Sequence, residues 1–210
     1  KNTKASAAQT EQIQSLQAAL EFVDQRTASI DQARQYQSVI DNFPKLSKEL
    51  RQQIAAVTDT PKTVNTSLNS SDLEQEILQA SSQQLEEGRQ AQQEQDRARE
   101  ISDSLALLPQ QQTEARRALA DSDRRLQGLQ TPPTALGQAK IWARETGNAA
   151  NKARVNELEL AQLSASNRQE LARLRAELHQ KTMTQLDAWL QALRNQLNTL
   201  RQQEAQQALE

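Results

Sequence analysis

Leu186-Asp187-Ala188-Trp189-Leu190-Gln191-Ala192-Leu193-Arg194-Asn195-Gln196-Leu197-Asn198-Thr199-Leu200 is the stretch that decides the fold. Its leucines step four, three, four and three residues. Such a step returns to the same side of a helix every two turns, so the leucines form a seam of the coiled-coil kind. Leu171, Leu174 and Leu178 begin the stripe further upstream. Ser164-Ala165-Ser166-Asn167 precedes them and reads as a tight reversal, with Asn167 capping and Glu170 three residues on, as a capping box requires. The seam then belongs to a helix of about 40 residues, roughly 60 Å long at the usual rise. The pattern is still running at Glu210, where no cap stands, so the chain is expected to continue in a larger protein.

Working back from the seam, residues 135–163 read as another helix, with Leu136, Ile141, Val155, Leu158 and Leu163 as its large apolar residues and Gly147 as a weak point. It is expected to fold back so that 139–163 pairs with 167–195, leaving the end of the last helix unpaired. Thr131-Pro132-Pro133-Thr134 is a turn, and Gly128 closes the helix before it. Leu73, Ile77, Leu85, Ile101, Leu105 and Leu108 mark a long helix. Its middle, from Gln83 to Glu100, is polar and expected to face solvent on most sides, with Ala91 and Ala98 admitting a close neighbour. Stretch 72–107 is expected to pair on its N-terminal side. Pro109 breaks or kinks this helix, because an interior proline removes a backbone donor and clashes with the preceding turn.

The best linker is 58–71, rich in β-branched residues, Ser and Asn, and expected to be mobile; Ser70 or Ser71 caps the helix after it. Before it, Ile13, Leu16, Leu20, Val23, Ile30 and Ile40 read as the apolar side of a first helix that stops at Asn42-Phe43-Pro44. Leu46, Leu50, Ile54 and Val57 stripe a second, shorter one. The reading is therefore all-α: elongated antiparallel helical hairpins or a bundle with coiled-coil-like seams. Its divisions are an N-terminal helical segment (1–57), a flexible linker (58–71), a hairpin segment kinked or broken at Pro109 (72–130) and a C-terminal long hairpin (131–210).

Composition narrows the chemistry. The 210 residues hold one His, no Cys, one Tyr, two Phe, two Trp and four Gly. Gln occurs 34 times, a helix former that lets seams meet without like-charge repulsion. The net charge is -2 with both signs interspersed, so no basic stripe offers itself to nucleic acid. No apolar run reaches the length of a membrane span, and no Lys/Arg-rich amphipathic face suits a membrane surface. Lys1-Asn2-Thr3-Lys4 leads into no apolar segment, so any secretory signal is expected to have been removed.

No residue qualifies as catalytic, cofactor-binding or metal-ligating, and no cofactor is expected. His179 follows seam residue Leu178 and reads as an exposed flank residue without a partner. Glu74 with Glu76, Glu86 with Glu87, Asp121 with Asp123 and Glu157 with Glu159 are neighbours on a helix, which do not face each other across a pocket. Arg97, Arg99, Arg116, Arg117, Arg124 and Arg125 lie among acids and read as solvated surface. Trp189, beside Leu190, reads as packing; Trp142 reads as a bundle anchor or a partner surface. Gly88, Gly128, Gly137 and Gly147 make no phosphate loop. An enzyme is not expected.

Several segments carry a resemblance. They are Gln35-Tyr36-Gln37-Ser38-Val39-Ile40-Asp41-Asn42-Phe43-Pro44-Lys45-Leu46-Ser47, Leu73-Glu74-Gln75-Glu76-Ile77-Leu78-Gln79, and Ala98-Arg99-Glu100-Ile101-Ser102-Asp103-Ser104-Leu105 with Leu108-Pro109-Gln110-Gln111-Gln112. Glu157-Leu158-Glu159-Leu160-Ala161-Gln162-Leu163-Ser164 and Asn167-Arg168-Gln169-Glu170-Leu171-Ala172-Arg173-Leu174-Arg175 complete the set. Together, in collinear order, they resemble the N-terminal periplasmic region of the large MscS-type mechanosensitive channels of Gram-negative bacteria. The agreement is poorest over 58–70 and 135–152. The resemblance implies a periplasmic helical scaffold in an inner-membrane protein that opens under tension and protects against hypoosmotic shock. It implies a membrane domain of the parent channel as partner and a homo-heptamer for the full-length protein. The alternative is a periplasmic module that binds cell-wall polymer or a partner's helix through exposed Arg, Gln and aromatic positions; no nucleic acid is implied by either.

Overall fold

A computed structural model describes residues 2–58, 63–130 and 134–209. Three helices hold nearly all of them: α1 (Asn2–Ala56), α2 (Ser70–Leu126) and α3 (Ala135–Gln207). No strand occurs among the described residues. Chains dominated by Ala, Leu, Gln, Glu and Arg lose little rotamer freedom in a helix, and the apolar stripes supply the tertiary contacts that short-range propensity alone does not. The all-α expectation holds.

Two expected interruptions do not occur, and at Pro109 the helix is not broken. Pro44 lies inside α1 and Pro109 inside α2. An interior proline costs about 3 kcal/mol, and packing on both sides offsets it. Ser47 and Ile54 are buried beyond Pro44, and Leu108 is buried immediately before Pro109. Local bonds hold the neighbouring turns. Asn42 Nδ2 donates to the Ser38 carbonyl at 2.8 Å, and Thr113 Oγ1 to the Pro109 carbonyl at 2.9 Å. Nor does the chain reverse at Ser164–Asn167: α3 is one helix of 73 residues, so 139–163 cannot fold back on 167–195. Ser164 is fully buried and Ala165 nearly so. Small residues there let another helix come near, and the Ser164 hydroxyl returns to the Ala161 carbonyl at 3.4 Å, inside its own helix.

The ends obey ordinary capping rules. Asn69, not Ser70 or Ser71, caps α2: its Oδ1 accepts the Asp72 amide at 2.9 Å. Gly128 closes α2 with φ 79°, a left-handed conformation that a Cβ resists. Thr134 Oγ1 accepts the Gly137 amide at 3.1 Å and starts α3. Thr131-Pro132-Pro133 and Asp59-Thr60-Pro61-Lys62, read as turn and linker, lie outside the described residues. In the described remainder of the linker, Val64 and Leu68 pack on an apolar cluster.

The chain forms two compact units, and each helix gives a segment to both. The first comprises Lys1–Asn42 and Ser102–Asn167. Leu108, Leu158 and Ala161 are buried there, with Tyr36, Leu105 and Ala115 against them. Gln112 Nε2 reaches the Leu158 carbonyl at 3.3 Å, and Asn151 Nδ2 the Ala118 carbonyl at 3.3 Å, which runs α2 antiparallel to α3. Glu11 meets Lys140 at 3.0 Å, and Phe22 sits where a Cβ on Gly147 would be 3.2 Å from its ring, so α1 runs parallel to α3. Gly147, expected as a weak point, takes the Phe22 ring of α1 against its backbone.

The second unit comprises Phe43–Ile101 and Arg168–Glu210. Its core is Leu73, Ala80, Leu190, Leu193 and Leu197, with Ile77, Trp189 and Leu200 packed against it. The seam leucines of 186–200 thus supply much of the core of this unit. Burying each such side chain contributes about 1.5–3 kcal/mol. Gln84 donates to Asp187 at 3.2 Å, Ser70 to Glu204 at 3.0 Å, and Arg201 pairs with Glu74. These contacts tie α3 to the start of α2 as far as Glu204, and the described residues after it are exposed.

Candidate functional site

The one histidine is not a bare flank residue. His179 Nδ1 lies 2.6 Å from Glu87 Oε2, and both side chains are 27% exposed. This pair joins α3 to α2 within the second unit. Its two residues stand 92 positions apart, which is why no local pattern announces it. Beside it runs an open groove lined by Ser82, Gln83, Glu86, Thr182, Gln185 and Trp189. Glu86 belongs to a second constellation on α2. It accepts Arg89 Nη2 at 2.5 Å, Arg89 Nε at 3.0 Å and Gln90 Nε2 at 2.7 Å. The hydrogen bonds from Arg89, then from Gln90, hold its carboxyl well below the usual carboxylate value, at about 2. The same contact raises the Arg89 guanidinium.

The remaining carboxylate pairs are divided among different cations. Glu74 goes to Arg201, Asp121 to Arg124, Glu157 to Arg154 at 2.7 Å and Glu159 to Arg116 at 3.4 Å. Asp123 accepts Asn148 Nδ2 at 2.7 Å. Arg97 pairs with Glu94 at 2.8 Å and Arg99 with Asp96 at 3.5 Å, while Arg117 and Arg125 are exposed. A general acid and base would need two carboxyls facing one cavity with separated affinities for a proton. The observed arrangement places its acids on helix surfaces and in helix–helix ties. Trp189 packs on the second core, whereas Trp142 is 49% exposed.

Two polar groups have no signal in the sequence. Asn148 is buried and donates to Ser122 Oγ at 3.0 Å as well as to Asp123, fixing α3 on α2. Glu94 lies in the polar middle of α2 yet is 8% exposed, beside the expected close-packing Ala91. Its Oε2 has no hydrogen-bond partner. Among the described residues no group of three or more His, Cys, Asp or Glu is placed to hold a metal ion. No described helix is long and apolar enough to cross a membrane.

Side chains such as His179 and Asn148 fasten helices to one another, and the comparisons say what the chain is similar to. The family model described as the mechanosensitive ion channel porin domain matches residues 1–210. The chain is 58% identical over 195 residues to the miniconductance mechanosensitive channel MscM of Escherichia coli (strain K12), covering 93% of this chain and 18% of that protein. No solved structure matches. The chain thus spans under a fifth of the length of that curated relative. A match along every residue shows that this chain belongs to the mechanosensitive ion channel porin domain family.

Proposed function

We propose that this chain is the non-catalytic periplasmic scaffold of an inner-membrane channel that opens under tension and relieves hypoosmotic shock. The observation that carries this reading is the family match over the full 210 residues, joined to helices none of which, where described, could span a bilayer. The ion pathway then belongs to a membrane domain elsewhere in the same polypeptide, and the channel assembles from copies, seven in the form this family resemblance suggests. The scaffold's contribution is mechanical. Close-packed helices resist continuous deformation, so a displacement at one point is passed along rather than absorbed.

Deleting residues 1–210 from the parent channel and measuring its tension threshold by patch clamp tests the proposal. The expected result is a shifted threshold in channels that still reach the membrane. An unchanged threshold with unchanged assembly would remove the gating role.

A further inference from the structure

Met183 carries the only sulfur of the chain, which has one methionine and no cysteine. It stands on α3 within the second unit, one turn beyond His179, and is half-buried. Across the helix pair it meets Gly88 of α2. A Cβ on residue 88 would lie 3.2 Å from the Met183 Sδ, tighter than an ordinary contact. The sulfur therefore rests on bare α2 backbone, in room that only glycine leaves. Glycine is otherwise disfavoured inside a helix, and this close approach gives it a packing role. The 2.6 Å pair of His179 with Glu87 ties the same two helices alongside. The open groove of this unit is lined in part by Glu87 and Thr182, the residues just before Gly88 and Met183. The neighbourhood of the sulfur is thus open to water-sized molecules.

We propose that Met183 is an oxidation site for small peroxides, and that its sulfoxide loosens α3 from α2 in the second unit. A thioether is a soft, apolar filler that suits a tight helix contact. In the reaction a sulfur lone pair attacks one oxygen of hydrogen peroxide and forms the S–O bond. The O–O bond breaks, and the second oxygen takes the proton of the first and leaves as water. The sulfur is oxidised by two electrons and the peroxide is reduced by two. The product is polar and carries an extra atom on the atom already pressed against α2. Close-packed contacts have no slack for such an addition. The sulfoxide oxygen accepts hydrogen bonds and donates none, and the Glu87 carboxylate beside Gly88 is likewise an acceptor. The added oxygen must displace the Met183 side chain, part the two backbones or compete with Glu87 for His179, and each weakens the α2–α3 contact. This inference is independent of the channel reading.

Treating the folded 210-residue chain with hydrogen peroxide tests it, with the added oxygen located by peptide mass spectrometry and stability followed by thermal unfolding and hydrogen exchange. Met183→Leu, which keeps the volume and removes the sulfur, is the control. The expected result is one oxygen gained at Met183, a thermal midpoint lowered by about 2–4 °C and faster exchange around Gly88 and Met183. Methionine sulfoxide reductases should restore the midpoint, and peroxide should leave that of Met183→Leu in place. An unmodified Met183 in the folded chain, or a midpoint and exchange unaltered by complete modification, would overturn the proposal. An equal fall in peroxide-treated Met183→Leu would overturn it too, by placing the damage on another residue.

Discussion

At the residue scale, the polar groups that matter are those that join helices or fork a single acid. Asn148 is 4% exposed and donates to Ser122 and Asp123 of α2. Replacing it with Ala leaves Asp123 without this donor, while Ser122 keeps Asn151 Nδ2 at 3.1 Å, and an unmade buried hydrogen bond costs about 1–3 kcal/mol. Asn148→Ala is expected to lower the urea midpoint accordingly, whereas Asn42→Ala, which loses only bonds within an exposed turn, is expected to change it far less. Glu86 gives a pH prediction with a definite sign. Its carboxyl is lowered from 4.5 to about 2 in the fold, so its contribution is present above the unfolded value and lost as pH falls toward the folded one. Stability titrated downward from 4.5 to about 2 should therefore drop slightly more steeply in the native chain than in Glu86→Gln, the difference being small because solvent screens this exposed pair. Parallel titrations of the two would exclude the Arg89 fork as the cause. Asn148 is not legible in the sequence because nothing near it is unusual; its partners arrive from α2 by folding. The capping of α2 by Asn69 and the closure at Gly128 follow local chemistry, and the closure is legible from the glycine alone.

At the scale of elements, the leucine seam of α3 is legible because its spacing depends on helix geometry alone. Its partner surface, Leu73 and Ala80 of α2, is not, since spacing on one helix says nothing of which helix it meets. The stripe on α1 departs from expectation for a physical reason. Its large hydrophobes predict the inward face, yet Ala19, Ser29 and Ala33 are inside and Ile13, Leu20 and Val23 outside. Small residues permit closer helix approach, and hydrophobicity scales undervalue that. Local capping and proline rules likewise make Ser164–Asn167 look like a reversal, Pro44 like a helix end and Pro109 like a break or kink. Local rules describe what an isolated segment prefers, and packing on both sides of each site prevails over them. Pro44 measures that competition, since it forfeits the bond its amide would make to the Ile40 carbonyl inside α1. Pro44→Ala is expected to raise stability by about 1–3 kcal/mol, less a few tenths for the freer unfolded chain. Thermal unfolding checks the sign; a fall would mean that the proline's geometry is itself required by α1.

At the scale of the whole molecule, charge is nearly balanced, and several ion pairs are exposed and local, such as Arg34 with Asp31 and Lys45 with Glu49. Exposed pairs of this kind contribute little, so the burden of stability falls on the two apolar clusters. These clusters have no member in common: one is built on Leu108 and Leu158, the other on Leu73, Leu190 and Leu193. Each unit therefore holds its own helices by its own contacts, although the same three helices supply both. Leu193 is fully buried in the second cluster, and truncating such a leucine to Ala costs about 2–5 kcal/mol. Leu193→Ala is expected to speed hydrogen exchange in the 70–101 part of α2 and the 168–207 part of α3, where the damaged core sits. Amides near Ser122 and Asn148, fastened by their own buried bonds, are expected to keep their protection. Equal acceleration in both regions would show instead that continuous helices weld the two cores into one cooperative body, because the loss at Leu193 would then be felt wherever those helices run. Under a tension-bearing role that distinction decides what the scaffold transmits: separate units yield one at a time, and a single cooperative body passes the load intact until it gives way as a whole.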